Sequence, residues 1–581
     1  MKTLTGRSLR ASFEWKLQSV LVPDTLVESS TEFALSPWLV QLLAQRRVFS
    51  TEQIKAYFNP LSFDVPSAMM LSDMDKALEI LKEGVAKKSK WLVFGDYDVD
   101  GTTATAMISN FLSEFEVPHD CYIPDRFSEG YGLSIDAVNK AIEEKYDVLM
   151  TLDCGIRAVK HIAKAKKSGI KVIVCDHHEP GSKLPEADAV LNPKKPGDPY
   201  PFKGLSGAGV GFKLMQAFYH EQGFPDSHLL KHLDLLALSI AADIVPVQEE
   251  NRYYLAKALS HFNEHTMSFG LEQLLAQAKK TKPLTTQDLV FTLAPRINAA
   301  GRMEQGSLAV DLMRDETSTK QKEDLAVKLN QLNLDRRSLD MTTRDEALKQ
   351  AEDNQFYGAV RSVVVHGRDW NKGVIGIVAS KLVETFDRPS IVLALDGDLY
   401  TGSARSIEGV NIHTVLKNCE HFLERYGGHS MAAGLMLRKE NLELFRETFD
   451  EQVQKLLPEI PVKSIEVDVE VPFNEWTEKT VRSVLRMAPF GPGNQRPVFM
   501  SKKVLLDSEP KFMGKNREHC RMTLRADEYS STQFKAVFFR GAEVCNSLKT
   551  MDKLDIVYDV SLNHWNGHSE VQIRIKDLRL A

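Results

Sequence analysis

The sequence predicts an α/β protein in which a parallel sheet carries the functional site. Apolar runs that end in acidic residues alternate with segments of helical periodicity, beginning with WLVFGDYDVDG (91–101). A charged, periodic stretch predicts a long helix over 316–353, and the C-terminal part of the chain alternates apolar and polar residues as β structure does. We therefore expect an α/β domain, a connecting helix, a smaller α/β domain and a C-terminal barrel or sandwich.

The composition bounds the class of protein. Of the 581 residues, 43% are hydrophobic and 26% are charged, which is typical of a soluble chain with roughly three or four domains. The sequence contains neither a bilayer-spanning apolar run nor a secretory signal, and its 6 cysteines form no C-x-x-C pair. We expect a cytoplasmic protein without a membrane partner. Its net charge of −6 means that a nucleic acid would have to be bound by local patches.

The acidic turn at 96–101 predicts a metal site. Asp96, Asp98 and Asp100 alternate directly after an apolar run, and this much negative charge is costly unless a cation neutralises it. Carboxylate oxygens suit Mg²⁺ or Mn²⁺. An EF-hand calcium loop needs a glutamate where this chain has Met107, and a helix where it has a predicted strand. A plain acidic turn is the remaining alternative.

The pattern of strand, acidic turn and helix recurs. Two further apolar runs, within 147–155 and 171–180, end in acidic or histidine residues, and a fourth at 235–247 contains one acid. Because the carboxyl ends of parallel strands meet at one edge, where ligands bind, we expect these side chains to converge. In chain order they are Asp96, Asp98, Asp100, Asp153, Asp176, His177, His178 and Asp243. The set is large enough for two metal ions that activate water for attack at phosphorus.

These motifs resemble those of the DHH phosphoesterase family. GDYDVDGTTATA, LDCG, CDHHEP and AADIVPV match its four motifs in order, at predicted strand ends, and GGHSMAAG (427–434) matches the signature of its associated C-terminal domain. Longer stretches, among them APRINAAGRM (294–303), GSARS (402–406) and APFGPGNQRPVF (488–499), are similar to the branch of that family that degrades single-stranded DNA from the 5′ end. The resemblance covers essentially the whole chain.

Together with the patterns, the resemblance implies five segments. They are an N-terminal helical segment (1–70), a DHH catalytic domain (71–315), a connecting long helix (316–353), a DHH-associated substrate-binding domain (354–457) and an OB-fold nucleic-acid-binding domain (458–581). The expected fold class is α/β. A parallel-sheet DHH domain is joined by the long helix to a smaller α/β domain and followed by a β-barrel.

The roles of the metal-site residues are implied by the resemblance. The implied metal ligands are Asp98, Asp100, Asp153, His177 and Asp243. Asp153 would be shared by two ions, and Asp96 would ligate an ion or orient the attacking water. His178 would donate a hydrogen bond to the scissile phosphate, and Asp176 would support the turn or an imidazole tautomer. Two surface histidines at a helix N-cap are the alternative interpretation of the DHH triplet.

The resemblance also implies substrate contacts. The glycine-rich segment 427–434 would bring amides and a helix N-terminus to a phosphate, with a helix-capping turn as the alternative. The implied substrate-binding residues are Arg296, Arg302, Ser403, Arg405, Gly427, Gly428 and His429. Ser403 and Arg405 would hold the 5′-terminal phosphate, although an isolated arginine is more often part of a surface ion pair. His564 or Trp565 would stack on a base or lie in the barrel core.

The resulting hypothesis is a two-metal exonuclease. The resemblance implies 5′→3′ removal of 5′-mononucleotides from single-stranded DNA with Mn²⁺ or Mg²⁺, in DNA recombination and in repair, including mismatch repair. A single-strand-binding protein and a helicase are the expected partners, and a monomer is the expected state. One alternative is a DHH enzyme for short oligonucleotides or cyclic dinucleotides. The other is a non-catalytic DNA-binding or scaffold protein, which the intact motifs disfavour.

Overall fold

The structure is a computed structural model that describes residues 13–355, 360–459, 463–565 and 568–581, and it leaves undescribed the side chains of 354, 355, 564, 565 and 568. The side chains of His564 and Trp565 therefore lie outside the described part. The chain divides into two compact units. The catalytic unit comprises Pro66–Val245 and Ala258–Pro461, and the barrel unit comprises Met1–Val65, Pro246–Lys257 and Val462–Ala581. No helix among the described residues is long and apolar enough to cross a membrane.

A parallel sheet lies at the centre of the first half of the catalytic unit. In spatial order its described strands are His119–Tyr122, Trp91–Gly95, Val148–Leu152, Lys171–Cys175 and Ala189–Leu191. The three middle strands are the predicted apolar runs, and they are almost fully buried, as a sheet covered on both faces requires. The two edge strands have only 4 and 3 residues, too few to stand out in the sequence.

Helices pack around this sheet and beside it. They are Met74–Lys87, Val99–Glu114, Ile135–Glu143, Val159–Lys167, Gly207–Glu221, Leu233–Ala242, Phe269–Gln277, Thr286–Asp288, Ala294–Met303 and Ser307–Met313, with a π-helical turn at Leu289–Leu293. The helix Glu249–Glu264 contributes residues to both units. Asp98 caps the helix after the first acidic turn, because its side chain accepts the Gly101 N–H at 3.0 Å.

The apolar run 235–247 is largely a helix. Leu233–Ala242 is helical, and Asp243 is its C-cap. Every residue from Leu233 to Ala241 is buried, and periodicity alone cannot separate a fully buried helix from a buried strand. The prediction that Asp243 ends a strand is therefore wrong.

A long helix joins the two halves of the catalytic unit, which confirms that prediction. Thr319–Gln355 has 37 residues. It packs against Phe269–Gln277 and Ala294–Met303 in the first half and against Ile375–Phe386 in the second.

The second half of the catalytic unit is a smaller α/β domain, as predicted. In spatial order its strands are Leu423–Gly428, Ala432–Arg438, Leu399–Arg405, Ser390–Asp396 and Val363–Arg368 among the described residues. Only the last pair is parallel. Its helices, besides Ile375–Phe386, are Ile412–Asn418 and Leu442–Leu456.

The glycine-rich segment 427–434 connects two antiparallel strands. Gly428 ends one strand, Ala432 begins the next, and the His429 N–H donates to the Ala432 carbonyl at 2.8 Å. The segment is thus a β-hairpin. Both the expected helix N-terminus and the helix-capping alternative are wrong for this segment.

The barrel unit contains a closed ring of strands. In spatial order its described strands are Val469–Glu470, Phe499–Leu506, Lys553–Trp565, His568–Leu580, Phe534–Phe538, His519–Arg525 and Lys511–Met513, and Phe499–Leu506 also pairs with His519–Arg525. This closure confirms a barrel rather than a sandwich. Helices Asp24–Glu32, Pro37–Gln45, Thr51–Phe58, Glu478–Leu485 and Ala542–Cys545 and a strand pair, Glu14–Leu17 with Ser464–Val467, complete the unit.

Candidate metal centre

The carboxyl edge of the parallel sheet brings the predicted acids together. Asp96, Asp153 and Asp176 each directly follow one of its middle strands. Ligand atoms within 4.8 Å of one another form three groups in the described part of the chain: Asp96, Asp98 and Asp153; Asp100, His177 and Asp243; and Asp153, His177 and His178. Asp153 and His177 each belong to two of these groups, and of these two residues the carboxylate of Asp153, with its two oxygens, is the one suited to be a shared ligand. Asp243 joins them from a helix end. Together with Asp176, the residues of these groups are called the acidic cluster, which thus comprises Asp96, Asp98, Asp100, Asp153, Asp176, His177, His178 and Asp243.

Unsatisfied atoms show that this cluster fits a cation. Among the described residues, no hydrogen-bond partner exists for the buried atoms Asp96 Oδ1, Asp153 Oδ1, His177 Nε2 and Asp243 Oδ2. Leaving such an atom unpaired costs about 1–3 kcal/mol. His177 Nε2 lies 3.2 Å from Asp153 Oδ1 and 3.4 Å from Asp243 Oδ2. Carboxylate oxygens around an imidazole nitrogen are suitable ligands for Mn²⁺ and acceptable ones for Mg²⁺.

Burial and mutual repulsion disfavour ionisation of these carboxyl groups. Burial, followed by the charges of Asp100 and Asp98, raises the pKa of Asp243 to about 9. Burial and neighbouring carboxylates also raise the pKa values of Asp96 and Asp153 well above their usual range. Burial lowers the pKa of His177, which favours the neutral imidazole that metals bind. A bound cation would favour the ionised carboxylates and so lower the pKa values of these acids.

Asp100 is compensated by the protein itself. Its Oδ2 accepts the Gly207 N–H at 2.6 Å and its Oδ1 accepts the Ala208 N–H at 2.8 Å, both in the first turn of Gly207–Glu221. Ser239 Oγ also donates to Oδ1, at 2.7 Å. The free N–H groups and dipole of a helix N-terminus stabilise a carboxylate. This contribution of the 207–208 turn cannot be read from the strand-end motifs.

Two glycines let the acidic turns approach their neighbours. A Cβ on Gly207 would lie 2.5 Å from Asp153 Cβ, and a Cβ on Gly101 would lie 2.4 Å from the Asp96 carbonyl oxygen. Side chains at these positions would push the turns apart. Asp153 has a φ of 58°, a left-handed conformation that aspartate adopts more readily than most residues.

Asp176 supports both histidines. Its Oδ1 accepts the backbone N–H groups of His177 and His178 at 2.7 and 3.0 Å, and His178 Nδ1–H at 2.8 Å. Burial alone would lower the pKa of His178, but the hydrogen bond and charge of Asp176 raise it above its usual value. Because Nδ1–H is held by Asp176, Nε2 is the nitrogen that could face a substrate, and the Tyr131 hydroxyl lies 3.1 Å from it. His177 is only 7% exposed, so the interpretation as two surface histidines is wrong.

A loop at 125–132, which the sequence patterns do not single out, completes this edge. The Tyr131 hydroxyl lies 3.3 Å from the Asp153 carbonyl oxygen and 3.1 and 3.2 Å from the two ring nitrogens of His178. Arg126, from the same loop, lies over the ring of Tyr97 with 4.6 Å between its guanidinium carbon and the ring centroid. A tyrosine between two glycines in RFSEGYG is the signal that could have found this loop.

An arginine cluster lies near the acidic one, close enough for the charge of Arg126 to act against the rise in the pKa of Asp96. It consists of Arg302 and the three arginines whose positive charges lower its pKa, namely Arg126, Arg336 and Arg405. Burial and these neighbours lower the pKa of Arg302 to about 9. No ion pair within the described residues involves Arg126, Arg302 or Arg405. Ser403 Oγ lies 3.0 Å from an Arg405 nitrogen, which brings the predicted pair together.

Arg296 has local partners. Its guanidinium donates to the Thr292 carbonyl at 2.6 Å and to Asn330 Oδ1 at 3.0 Å. Its place in the substrate site stays a prediction.

A cavity of about 450 Å³ lies beside His178. Leu133, Cys154, Ile156 and Ala158 form apolar walls, and Arg157, His161, Lys194 and His429 are among its polar residues. Burial lowers the pKa of His429, as do the nearby charges of Arg157 and His178. The hairpin of Gly427 and Gly428 thus places His429 at the acidic edge.

Comparisons with known proteins agree with this architecture. Three family models match: "DHH family, N-terminal domain" at residues 90–240, "DHHA1 domain" at 357–455 and "RecJ OB domain" at 467–577. The single-stranded-DNA-specific exonuclease RecJ of Bacillus subtilis is 35% identical over 99% of this chain and 72% of its own length. That of Haemophilus influenzae is 31% identical over 93% and 95%. The crystal structure of RecJ in complex with Mn²⁺ from Thermus thermophilus matches with a TM-score of 0.82 and 25% identity, over 98% of this chain and 80% of that one. The chain therefore belongs to the RecJ family of DHH proteins.

Proposed function

We propose that this protein is a single-stranded-DNA-specific exonuclease that releases 5′-mononucleotides in the 5′→3′ direction and uses two divalent cations. The observation that carries the proposal is the proximity, within one unit, of an acidic cluster built around Asp153 and an arginine cluster. A phosphodiester at the first and a terminal phosphate at the second would place the cleaved bond near a 5′ end. The named activity of the B. subtilis and H. influenzae relatives supports it.

The acidic cluster would hold Mn²⁺ or Mg²⁺. One ion would be held by Asp98 and Asp153, with Asp96 beside them, and the other by Asp100, His177 and Asp243. Asp153 would be shared, because its Oδ1 lies 3.2 Å from His177 Nε2. When bound, such ions lower the pKa of a water molecule and stabilise the oxygens of an in-line displacement. The unpaired buried atoms of the cluster and the Mn²⁺ complex of the T. thermophilus relative support this assignment.

Protein groups would position and stabilise the reacting phosphate. His178 would donate from Nε2 to a phosphate oxygen, because Asp176 holds its other nitrogen. A donor aimed at developing negative charge stabilises the transition state. Asp96 would accept a hydrogen bond from the attacking water or bind an ion directly.

The arginine cluster would bind the 5′-terminal phosphate. Guanidinium groups match phosphate oxygens in pairs, and Ser403 adds a hydroxyl beside Arg405. The cavity beside His178 has apolar walls suited to a nucleoside, with His429 at its edge.

The barrel unit would hold the incoming strand. Arg521, Lys535 and Arg574 line a concave surface together with Phe539. Cationic groups that follow the backbone, combined with an aromatic ring for base stacking, are the usual means of binding single strands.

The test is degradation of a long, 5′-phosphorylated single strand carrying a label at one end. With Mn²⁺ or Mg²⁺, a 5′ label should appear at once as a mononucleotide, whereas a 3′-labelled strand should shorten progressively. A blunt duplex should resist, and EDTA should stop the reaction. Preferential hydrolysis of a dinucleotide would favour the short-substrate alternative. Binding without hydrolysis would favour the non-catalytic one.

The remaining assignments rest on the resemblance and belong to the proposal. They are the domain limits, action in recombination and in repair including mismatch repair, a single-strand-binding protein and a helicase as partners, a monomeric state and a cytoplasmic location.

A further inference from the structure

A series of ring contacts leads from the arginine cluster to His178. The guanidinium of Arg126 lies over Tyr97 at 4.6 Å. The ring of Tyr97 meets that of Tyr131 edge-on, with 6.5 Å between centroids, and Tyr131 meets the His178 ring edge-on at 5.7 Å. The series joins the proposed site for the terminal phosphate to the proposed site for the scissile phosphate.

The last member of the series contacts two functional groups of the acidic cluster. The Tyr131 hydroxyl is 3.3 Å from the carbonyl oxygen of Asp153, to which it donates, and within 3.2 Å of both ring nitrogens of His178. Asp153 holds a left-handed backbone conformation, so a hydrogen bond to its carbonyl helps to fix an unfavourable turn.

The loop that carries Arg126 and Tyr131 is internally bonded. Asp125 Oδ1 accepts the Ser128 N–H and hydroxyl, both at 2.8 Å. Glu129 accepts the Asp125 N–H at 2.8 Å and the Tyr122 hydroxyl at 2.9 Å. These bonds make a compact turn of the loop that carries both Arg126 and Tyr131.

We propose that Tyr131 is a positioning residue that couples occupation of the arginine cluster to the placement of His178 and Asp153. A phosphate on Arg126 would stabilise the position of the 125–132 loop described above, in which the Tyr131 hydroxyl contacts the His178 ring and orients it. The inference rests on the proposed function, because it takes the anion at the arginine cluster to be the 5′ phosphate. Its consequence is that cleavage is faster next to a 5′-phosphorylated end. Two sites are coupled in this way only if the ligand of one favours a particular arrangement of the other.

The test is the variant Tyr131→Phe, which keeps the ring and removes the hydroxyl. Matched single strands with a 5′ phosphate or a 5′ hydroxyl are compared in wild type and variant. We expect wild type to prefer the phosphorylated strand. The variant should lose about tenfold in kcat on that strand, the size of effect seen when a group supporting a metal ligand is removed. Its kcat on the hydroxyl strand should fall less, so the ratio of the two should fall.

Binding provides a second readout. The Kd values of the two strands, measured by fluorescence anisotropy without metal, should be the same in Tyr131→Phe and wild type, because the arginine cluster is untouched. The double variant Arg126→Met/Tyr131→Phe should be no slower on the phosphorylated strand than Arg126→Met alone, since coupled residues do not add.

Tyr146→Phe is the matched control. Its hydroxyl donates to Asp120 at 2.6 Å, and it precedes the strand Val148–Leu152, at the opposite edge of the sheet from the acidic cluster. It should keep the wild-type ratio.

Two results would overturn the inference: an unchanged ratio in Tyr131→Phe, whether or not kcat falls equally on both strands, or a wild type that cleaves both strands equally well. A wild type that cleaves neither strand would instead overturn the proposed function.

Discussion

The acidic cluster and the arginine cluster are both groups of like charges, but their local hydrogen bonding differs. Within the described part of the chain, Asp153 and Asp243 keep buried oxygens without hydrogen-bond partners. In contrast, Arg302 donates to the Gly373 carbonyl at 3.2 Å and Arg405 to the Ala404 carbonyl at 2.8 Å, while Arg126 lies on an aromatic ring. The acidic cluster is therefore incomplete without a cation, whereas the arginine cluster is partly satisfied when empty. This difference fits a resident metal and a transient anion.

Removing the shared carboxylate should give the largest effect. We expect Asp153→Asn to lower the rate of strand degradation by about a thousandfold or more, because an amide cannot bridge two cations. Mn²⁺ binding, measured by isothermal titration calorimetry, should fall as well. Asparagine tolerates the left-handed conformation, so the fold should persist.

Asp147→Asn is the control for this change. Asp153 follows the C-terminal end of the strand Val148–Leu152, and Asp147 directly precedes its N-terminal end. There the Asp147 side chain accepts the Lys90 N–H at 2.8 Å. It should retain near-wild-type activity. Full activity of Asp153→Asn would rule out Asp153 as a shared ligand.

Crowding the acidic cluster from its neighbouring helix should give the next largest effect. In Gly207→Ala the new Cβ would meet Asp153 Cβ at 2.5 Å, so we expect at least about tenfold weaker Mn²⁺ activation. Gly209→Ala, in the same turn, would meet its nearest atom at 3.3 Å and should change activation less. Metal titrations of the rate separate the two variants. Equal midpoints would show that the approach of Gly207 to Asp153 is unimportant.

Weakening the arginine cluster should act on substrate binding. We expect Arg405→Met to raise KM for a 5′-phosphorylated strand about tenfold with a smaller change in kcat, since a charge-assisted hydrogen bond to phosphate is worth about 1.5–3 kcal/mol. Arg296→Met is the comparison, because the structure gives Arg296 local partners. An equal rise in KM for a 5′-hydroxyl strand would contradict the assignment of the cluster to the terminal phosphate.

The smallest effect concerns the stability of the metal-free protein. The pKa of Asp243 is raised to about 9 in the folded chain, whereas an unfolded aspartate titrates near pH ~3.9. Between these values the folded state binds more protons, so its stability should fall as the pH rises. We expect Tm of the metal-free wild type to drop more than that of Asp243→Asn between about pH 6 and pH 9. Added Mn²⁺ should abolish the drop in Tm of the wild type. Parallel plots of Tm against pH for metal-free wild type and Asp243→Asn would contradict the prediction.

The sequence predicts the middle of the sheet and the acids that follow it because each signal is local. A buried strand needs only a short apolar run, and Asp96, Asp153 and Asp176 come directly after such runs. The apolar run 235–247 points to Asp243 in the same way, but a helix rather than a strand brings it to the cluster. Fully buried helices and strands have the same apolar composition, so no periodicity separates them.

The remaining parts of the site depend on contacts between distant segments. The stretch 204–213 contains Gly-x-Gly-x-Gly, but no strand precedes it, so a dinucleotide site is disfavoured. Nothing else in its sequence indicates that it contacts the acidic cluster. Its contact with Asp100 joins positions 107 residues apart. The partners of Tyr131 and Arg126 are equally hidden: the glycines around Tyr131 mark a loop, but an isolated loop tyrosine or arginine has no spacing that marks what it contacts. In 427–434 the glycines indicate a turn without distinguishing a helix cap from a hairpin.

The helix Thr319–Gln355 has a mechanical consequence for the catalytic unit. Its 37 residues extend about 55 Å at 1.5 Å per residue, and the helix packs against elements of both halves that it joins. A helix bends only gently unless a proline, a bulge or an inserted group interrupts it. The distance between the acidic cluster and the His429 hairpin can therefore change only as far as this continuous helix bends, because among the described residues no flexible linker interrupts it between Thr319 and Gln355.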